Sequence, residues 1–428
     1  MDEDKILSLL SDPSIVDNFS IENVNITFLC IVKILYNNSI KFKNIFSDGI
    51  KIDNFDIKQI GEGKGFVSYV YRISISFTNN QEFSFILKFP TSKILNEGID
   101  IENGEVEFIT NEEVSTFHNN ECLFYSLFSD ISNFKIPKVY YTQSYRIGSQ
   151  DGLILLEDLS NTSTHIECYK TFNIHQVKNI FKQISILQII SLILKDKEVF
   201  HKFNRVINDN DFLFFLQFAF EHWNKLTKIL PDGFYKHLEG DLKILISHWR
   251  DISILNCYRY EENQSNPVVF AHSDIWNNNI LFSIDEDGNP SNKVEALIDW
   301  QLLQVHSTGN DFSKLLIYCT DPYIRKEAEK TLLKYFYNHL KGNILKNNIP
   351  FTMTFDIFMK NYKYSFIENA LMFLMSIGFS LKGYDMPDDL GDPVWDARKL
   401  NIAIRIVSNV SDAISYTKEL KPEWFQKE

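Results

Sequence analysis

The sequence predicts an α+β fold of two lobes: a small β-rich lobe with one key helix, then a larger, mainly helical lobe that carries a hairpin. Three observations predict it. The stretch Lys51–Leu156 is strand-rich, and its alternation is clearest at Tyr69, Tyr71, Ile73, Ile75 and Phe77. From about Ser160 the apolar spacing becomes helical. Within that helical part, Ile280–Ile284 (ILFSI) and Val294–Ile298 (VEALI) are short apolar runs on either side of the turn-rich DEDGNPSNK, and they read as a hairpin. The expected division is 1–50 as an N-terminal helical extension, 51–157 as the small lobe and 158–428 as the helical lobe.

In chain order, Ile6–Tyr36 reads as helix packed on or near the small lobe. The segment HNNECLFYSLF around Glu121 is also helical, with Leu123, Phe124, Leu127 and Phe128 on one apolar face. Further helices are expected at His175–Leu194, Asp211–Leu230, Gly233–Leu255, Phe355–Leu381 and Val394–Leu420. Another opens at Asp321-Pro322, with Asp as N-cap and Pro in the first turn. No internal repeat or low-complexity linker interrupts the chain.

A chain of 428 residues, 44% hydrophobic and 14% aromatic, can bury two substantial cores. Its net charge of −13 argues against nucleic-acid binding, which needs basic patches. Cys30, Cys122, Cys168, Cys257 and Cys319 are odd in number and widely spaced, as expected of reduced thiols in a reducing compartment. The start MDEDKILSLL lacks the basic residues of a signal peptide, and the longest apolar stretch, Ile184–Leu194, is too short to span a bilayer. No membrane span is expected, and the cytoplasm is the expected compartment.

The chemistry concentrates at Ala271–Phe282, AHSDIWNNNILF, which spells H-x-D-x-x-x-x-N. In an antiparallel hairpin the outer ends lie side by side, so Asn279 comes next to Asp299. An amide oxygen and a carboxylate suit a hard cation such as Mg2+, which takes oxygen ligands and substrate phosphates. Asp274, one loop upstream, is placed to receive a hydroxyl proton. The set fits Mg-dependent phosphoryl transfer from a nucleoside triphosphate. The plainer reading is a loop whose Asp and Asn residues make ordinary turns.

The upstream half favours the chemical reading. In IKQIGEGKGFVSYVYRISISF, Gly61, Gly63 and Gly65 alternate between two strand-like runs, where missing side chains let backbone N–H groups approach phosphates. The spacing is neither a Walker loop nor a dinucleotide fingerprint. Lys88 is the one charge in the apolar strand FSFILKFP. It is either an edge or snorkelling lysine or one that needs a partner, and Glu121 is available as that partner. Glycines, Lys88, Glu121, catalytic loop and metal Asp follow the order of the protein-kinase fold.

From Gly61 to Leu316, the motifs GEGKGFVS, the Lys88 strand, HNNECLFY, ILLEDLS, AHSDIWNNNILF, ALIDWQ and GNDFSKLL resemble the ecdysteroid-kinase-like (CHK kinase-like) group. That group lies within the aminoglycoside phosphotransferase and choline kinase superfamily. The resemblance implies ATP and Mg2+ as cofactors and a small hydroxylated substrate, with steroids or other lipophilic alcohols among the acceptors. It implies Asp274 as base, Asn279 and Asp299 as metal ligands, and Lys88 with Glu121 as the phosphate clamp. It also implies an adenine-binding hinge at Leu156–Leu159, including Glu157 and Leu159, and structural support of the catalytic loop by His272 and Asp311. Two positions depart from the group: Ser273 replaces the glycine of H-G-D, and Gln188 replaces a histidine often found in a helix of the larger lobe. Asp299-Trp300-Gln301 replaces Asp-Phe-Gly, and no Ala-Pro-Glu segment follows, so a peptide-docking shelf is not expected.

Other features carry less. His175, His201, His222, His248 and His306 are scattered without zinc-site spacing. The Phe-rich Phe212–Phe220 reads as core in preference to an apolar acceptor pocket. The loop Gly383–Pro393, with four acidic residues before Trp395, reads as a solvated acidic loop in preference to a seat for a cationic acceptor. Two functions stand: a small-molecule kinase, or a catalytically silent kinase-fold scaffold. The presence of Lys88, Glu121, Asp274, Asn279 and Asp299 together favours the kinase.

Overall fold

The computed structural model describes the chain apart from residues 1–2, 22–23, 25, 47–48, 62–66, 99–108, 204–208, 259–264, 383, 385, 388–389 and 427–428, and the side chains at 97–98, 209–215, 217, 257–258 and 382. Two units form: residues 1–132 with 136–161, and residues 133–135 with 162–428.

Unit one is built on an antiparallel sheet of β1 (Ile52–Ile60), β2 (Ser68–Phe77), β3 (Glu82–Pro90), β4 (Val139–Gln143) and β5 (Leu153–Glu157), in the order β1-β2-β3-β5-β4. Strand alternation sends Phe83, Phe85 and Leu87 of β3 into one buried cluster and leaves Lys88 directed to the other face. The N-terminal segment fills that cluster. It comprises α1 (Glu3–Leu7), a 3-10 turn (Pro13–Asn18), α2 (Phe28–Asn38) and α3 (Ile40–Ile45), and Phe28, Ile31, Leu35 and Phe42 pack with Ile73, Ile75 and Phe77.

The single helix expected over Ile6–Tyr36 is therefore divided. Asp12 accepts the Ser14 N–H ahead of the Pro13 turn, Thr27 caps α2, and Ser39 ends α2 while capping α3. These side chains compete with continued helix and override the apolar periodicity. The remaining helices of unit one are α4 (Lys93–Gly98) and α5 (Asn111–Phe128), the latter opened by a Thr110–Glu113 capping box. On α5, Phe124 and Phe128 are buried as expected, but Leu127 is 40% exposed. The buried face is turned towards Val114, His118, Glu121 and Tyr125, because a charge pair described below lies inside.

In unit two the helices are α6 (Ile174–Ile193), α7 (Glu198–His201), α8 (Asp209–Thr227), α9 (Glu239–Ser247), α10 (Trp249–Tyr258), α11 (Asn310–Cys319), α12 (Pro322–Lys346), α13 (Phe355–Lys382) and α14 (Pro393–Leu420). The span Gly233–Leu255, expected as one helix, is interrupted at His248, whose imidazole bonds Asp251 (2.8 Å) and stacks on Trp424 at 4.2 Å. Phe355–Leu381 is long and apolar enough to cross a membrane, and 72% of its most apolar window is buried inside unit two. Of the Phe-rich segment, the side chains of Phe212, Phe214 and Phe215 lie outside the described residues, while Phe218 packs edge-on against Phe379 of α13 at 5.0 Å.

Small strands support the loop that matters. β7 (Val269–Ala271) pairs with β10 (Gln304–His306), and β8 (Ile280–Ile284) lies between β6 (Ser163–Thr164) and β9 (Pro290–Leu297). The expected hairpin is present but longer: β9 starts at Pro290, because Asp285 accepts the N–H groups of Asp287 and Asn289 and closes a short turn.

Gly309 is the N-cap of α11, and a Cβ added there would lie 2.5 Å from the Tyr362 backbone of α13. Only a residue without a side chain permits that approach. Gly309→Ala is expected to cost about 1–3 kcal/mol by overpacking, whereas Gly342→Ala, with open space around it in α12, should gain about 0.5–1 kcal/mol. Urea denaturation measures both, and a Gly309→Ala protein as stable as wild type would contradict the close contact.

Candidate functional site

Buried strand β7 delivers His272 and Ser273 to the N-terminal turn of α11, where Asp311 is 2% exposed. The two oxygens of Asp311 accept consecutive backbone N–H groups, from His272 (2.8 Å) and Ser273 (3.0 Å). Burial pushes the Asp311 carboxyl upward, while the nearby His272 and the two N–H bonds act in the opposite direction.

The ring of His272 ties the loop to the hairpin. Its Nδ1 accepts the Asp274 N–H (3.2 Å), so Nε2 carries the proton and donates to the Ile298 carbonyl (3.0 Å). The ring also packs 4.3 Å from that of Trp300, which is fully buried and donates its indole N–H to Leu297 O. Trp300 thereby anchors the chain directly after Asp299.

Ser273 has φ +64°, the left-handed region that a glycine would occupy without penalty. For a residue with a Cβ that conformation costs about 1–2 kcal/mol. The departure from H-G-D thus leaves the turn in place, under strain. Asp299 also has a left-handed backbone, φ +66°, which turns the chain out of β9 into the 3-10 turn Trp300–Leu302.

Asp274 is partly exposed, and two groups face its side chain. Asn279 Nδ2 donates to its Oδ2 and to its backbone carbonyl, both at 2.9 Å, and Lys314 Nζ of α11 lies 3.5 Å from its Oδ1. Ile298 N–H bonds Asn279 O at 3.0 Å, which places Asn279 and Asp299 at the same open end of the β8–β9 ribbon. With its amide nitrogen committed to Asp274, Asn279 offers its oxygen to any further ligand. Amide oxygen plus carboxylate is a donor set for a hard cation that completes its shell with phosphate and water oxygens. Among the described residues no group of three or more His, Cys, Asp and Glu side chains could hold a metal without such help.

In unit one, Lys88 of β3 donates to Glu121 of α5 at 2.6 Å, with the side chains 10% and 1% exposed. Glu121 also accepts the Tyr125 hydroxyl (3.2 Å). Gly61 follows β1 with φ +74°, while Gly63 and Gly65 lie outside the described residues. At the end of β5, Glu157 N–H bonds Lys138 O (2.8 Å), and Asp158 pairs with Arg72 of β2 (3.2 Å). Leu159 follows, half-buried.

The parts played by Lys314, by the Trp300 ring and by the Arg72–Asp158 pair are visible only in the structure. Lys314 sits in GNDFSKLL among apolar residues, the same signal that drew attention to Lys88. Gln188, the other departure, donates to Thr308 O at 2.9 Å, so it supports the turn leading into α11. Tyr169, Trp395 and Arg398 pack together, with the guanidinium 4.1 and 4.6 Å from the two rings.

In type and chain order, these elements make a protein-kinase-like α+β fold: an antiparallel sheet whose lysine pairs with a helix glutamate, then a helical part carrying the Asp274 loop and its ribbon. Residues 46–391 match the DUF1679 family model, described as "Uncharacterized oxidoreductase dhs-27", and the chain belongs to that family. A Caenorhabditis elegans protein of that name is 27% identical over 379 residues, covering 83% of this chain and 44% of the relative. The chain therefore spans less than half the length of the curated relative it matches. Among solved structures, a spectinomycin phosphotransferase in complex with ADP and spectinomycin is 12% identical, with 89% of this chain and 98% of that one covered and a TM-score of 0.42. A Plasmodium vivax ethanolamine kinase is 13% identical, with coverages of 88% and 87% and a TM-score of 0.39. A microcompartment-associated aminopropanol kinase is 11% identical, with coverages of 87% and 94% and a TM-score of 0.41.

A pH dependence follows from His118, one turn before Glu121 on α5. Burial, together with the nearby Lys88 charge, lowers its pKa to about 4, against the opposing hydrogen bond to Gln143 O. The unfolded chain binds this proton first as pH falls from about 6.5, so unit one should lose up to roughly 3 kcal/mol between there and about pH 4. In His118→Gln the acid slope of the melting temperature should flatten over that window, and an unchanged slope would refute the assignment.

Proposed function

We propose that the chain is an ATP- and Mg2+-dependent kinase that phosphorylates a hydroxyl of a small molecule, in line with its resemblance to ecdysteroid-kinase-like proteins. The observation that carries this reading is the Asp274 carboxylate, partly exposed, held by Asn279 and 3.5 Å from the Lys314 ammonium, beside the oxygen-donor pair Asn279 and Asp299. No hydride transfer is proposed: the oxidoreductase in the relative's name belongs to a protein more than twice the matched length, and the sequence here carries no dinucleotide fingerprint.

In this reading Lys88, held by Glu121, binds the α- and β-phosphates, and the backbone of Glu157–Leu159 receives the adenine. Asn279 and Asp299 would hold Mg2+, which neutralises phosphate charge when bound. Asp274 accepts a hydrogen bond from the acceptor hydroxyl and orients it in line with the γ-phosphorus. The acceptor O–P bond forms as the bond from phosphorus to the β–γ bridging oxygen breaks; the hydroxyl proton passes to Asp274 and ADP departs. Orientation of the hydroxyl is the larger part of the task, since proton transfer comes late in a loose transition state.

A screen of hydroxylated metabolites for ATP-dependent phosphorylation tests the reading. With an accepted substrate, Asp274→Asn should lower the rate by roughly two to four orders of magnitude, while nucleotide affinity persists. Absent transfer in wild type across the screen, with nucleotide binding intact, would favour a silent scaffold instead.

Asp299→Asn should abolish turnover and remove the Mg2+ dependence of nucleotide affinity. Persistence of that dependence would assign the metal elsewhere. For the clamp, burial makes the single Lys88→Met substitution a poor probe. It leaves Glu121 buried with its cation gone, and breaking a buried pair in this way costs about 3–5 kcal/mol. The Lys88→Met/Glu121→Met protein should recover most of that stability in a melting experiment yet still bind ATP weakly. Normal ATP affinity in the double variant would reduce Lys88 to a structural role.

A further inference from the structure

We propose that Lys314 is a positioning residue that takes over the task of the glycine missing from the H-x-D turn. It clamps the left-handed Ser273 and so delivers Asp274 to the chemistry. This inference rests on the kinase reading for its consequence, but its geometry stands alone.

Ser273 is held from both ends of its own peptide units by one helix. Its N–H donates to Asp311 Oδ1 at 3.0 Å, and its carbonyl oxygen accepts from Lys314 Nζ. Asp311 and Lys314 are three residues apart on α11, hence on the same side of the helix. The serine hydroxyl is drawn in as well, with Ala271 O at 3.4 Å and Asn310 Nδ2 at 3.5 Å. A non-glycine residue stays in a sparsely populated backbone region only where its surroundings over-determine it.

Lys314 reaches two acceptors, and their distances rank them. The Ser273 carbonyl is much the closer, whereas the Asp274 carboxylate lies at 3.5 Å, outside a direct charge-assisted hydrogen bond. Lys314 is 8% exposed and its ammonium lies 5.3 Å from the centre of the Tyr318 ring, so it has little freedom to swing away. Its main work is therefore on the backbone. Glycine at 273 would need no such clamp, which makes positions 273 and 314 interdependent.

The test uses the full-length chain and a double-mutant cycle of Lys314→Met and Ser273→Gly, with MgATP hydrolysis as the probe and water in place of an acceptor. Lys314→Met should lower kcat by about tenfold or more while KM for ATP stays within about twofold. Ser273→Gly should remain near wild type, and adding it should bring Lys314→Met back to within about threefold of Ser273→Gly alone. A loss of the same size in both backgrounds, or no loss at all, overturns the proposal. Hydrogen exchange of peptides covering residues 271–276 reads the clamp without turnover. Protection should fall in Lys314→Met and return in the double variant; unchanged protection in Lys314→Met overturns the proposal even if no hydrolysis is seen. Asp274→Asn run in parallel separates the two ideas. If it leaves hydrolysis unchanged the kinase reading fails, whereas loss there with full activity in Lys314→Met removes only the clamp.

Discussion

The buried carboxylate of Asp311 is the constraint on which the candidate site depends. It is 2% exposed and accepts two consecutive backbone N–H groups. Each of those donors, left unsatisfied in the interior, would cost about 1–3 kcal/mol. Once they are fixed, the rest follows through short links. His272 is aimed so that its ring joins the Asp274 N–H to the Ile298 carbonyl, and Asn279 joins the Asp274 carboxylate to the β8–β9 ribbon. A strained serine and a partly exposed carboxylate are thereby held by a dry, tightly packed helix terminus.

Unit one repeats the same logic with a different pair. Lys88 and Glu121 sit inside, at the junction of a central strand and a helix, and each makes the other's burial tolerable. The N-terminal segment packs the opposite face of the sheet, with Phe28, Phe42, Phe83 and Phe85 in one cluster. The strand that carries Lys88 is therefore held from behind by apolar contacts and in front by its ion pair. Its charge is thereby fixed in one orientation.

Much of this was legible in the letters, for identifiable reasons. The hairpin could be read because turn residues and β-rich runs are local signals, and Asn279 and Asp299 at its open end followed from antiparallel geometry. Lys88 stood out because a lone charge in an apolar strand demands a partner, and Glu121 was that partner. The N-terminal helices are shorter than apolar spacing implies, because capping by Asp12, Thr27 and Ser39 outweighs it. The burial of α5 was misplaced by one position at Leu127, since an ion pair rotated the face. Lys314 carries the same lone-charge signal as Lys88, but its acceptor, a backbone carbonyl 41 residues away, leaves no mark in sequence. The Arg72–Asp158 pair was hidden for a similar reason, as it depends on strand order.

In the proposed kinase, Asp274 orients an acceptor for direct transfer and does not itself become phosphorylated. Its carboxylate is held against Asn279 at 2.9 Å and lies 3.5 Å from Lys314, an arrangement suited to orienting a hydroxyl. The most direct measurement is the configuration at phosphorus after turnover with ATP made chiral at its γ-phosphorus by oxygen isotopes. A single in-line displacement inverts that centre, so turnover is expected to proceed with inversion. Retention would require two displacements through a phosphorylated enzyme and would contradict the role assigned to Asp274.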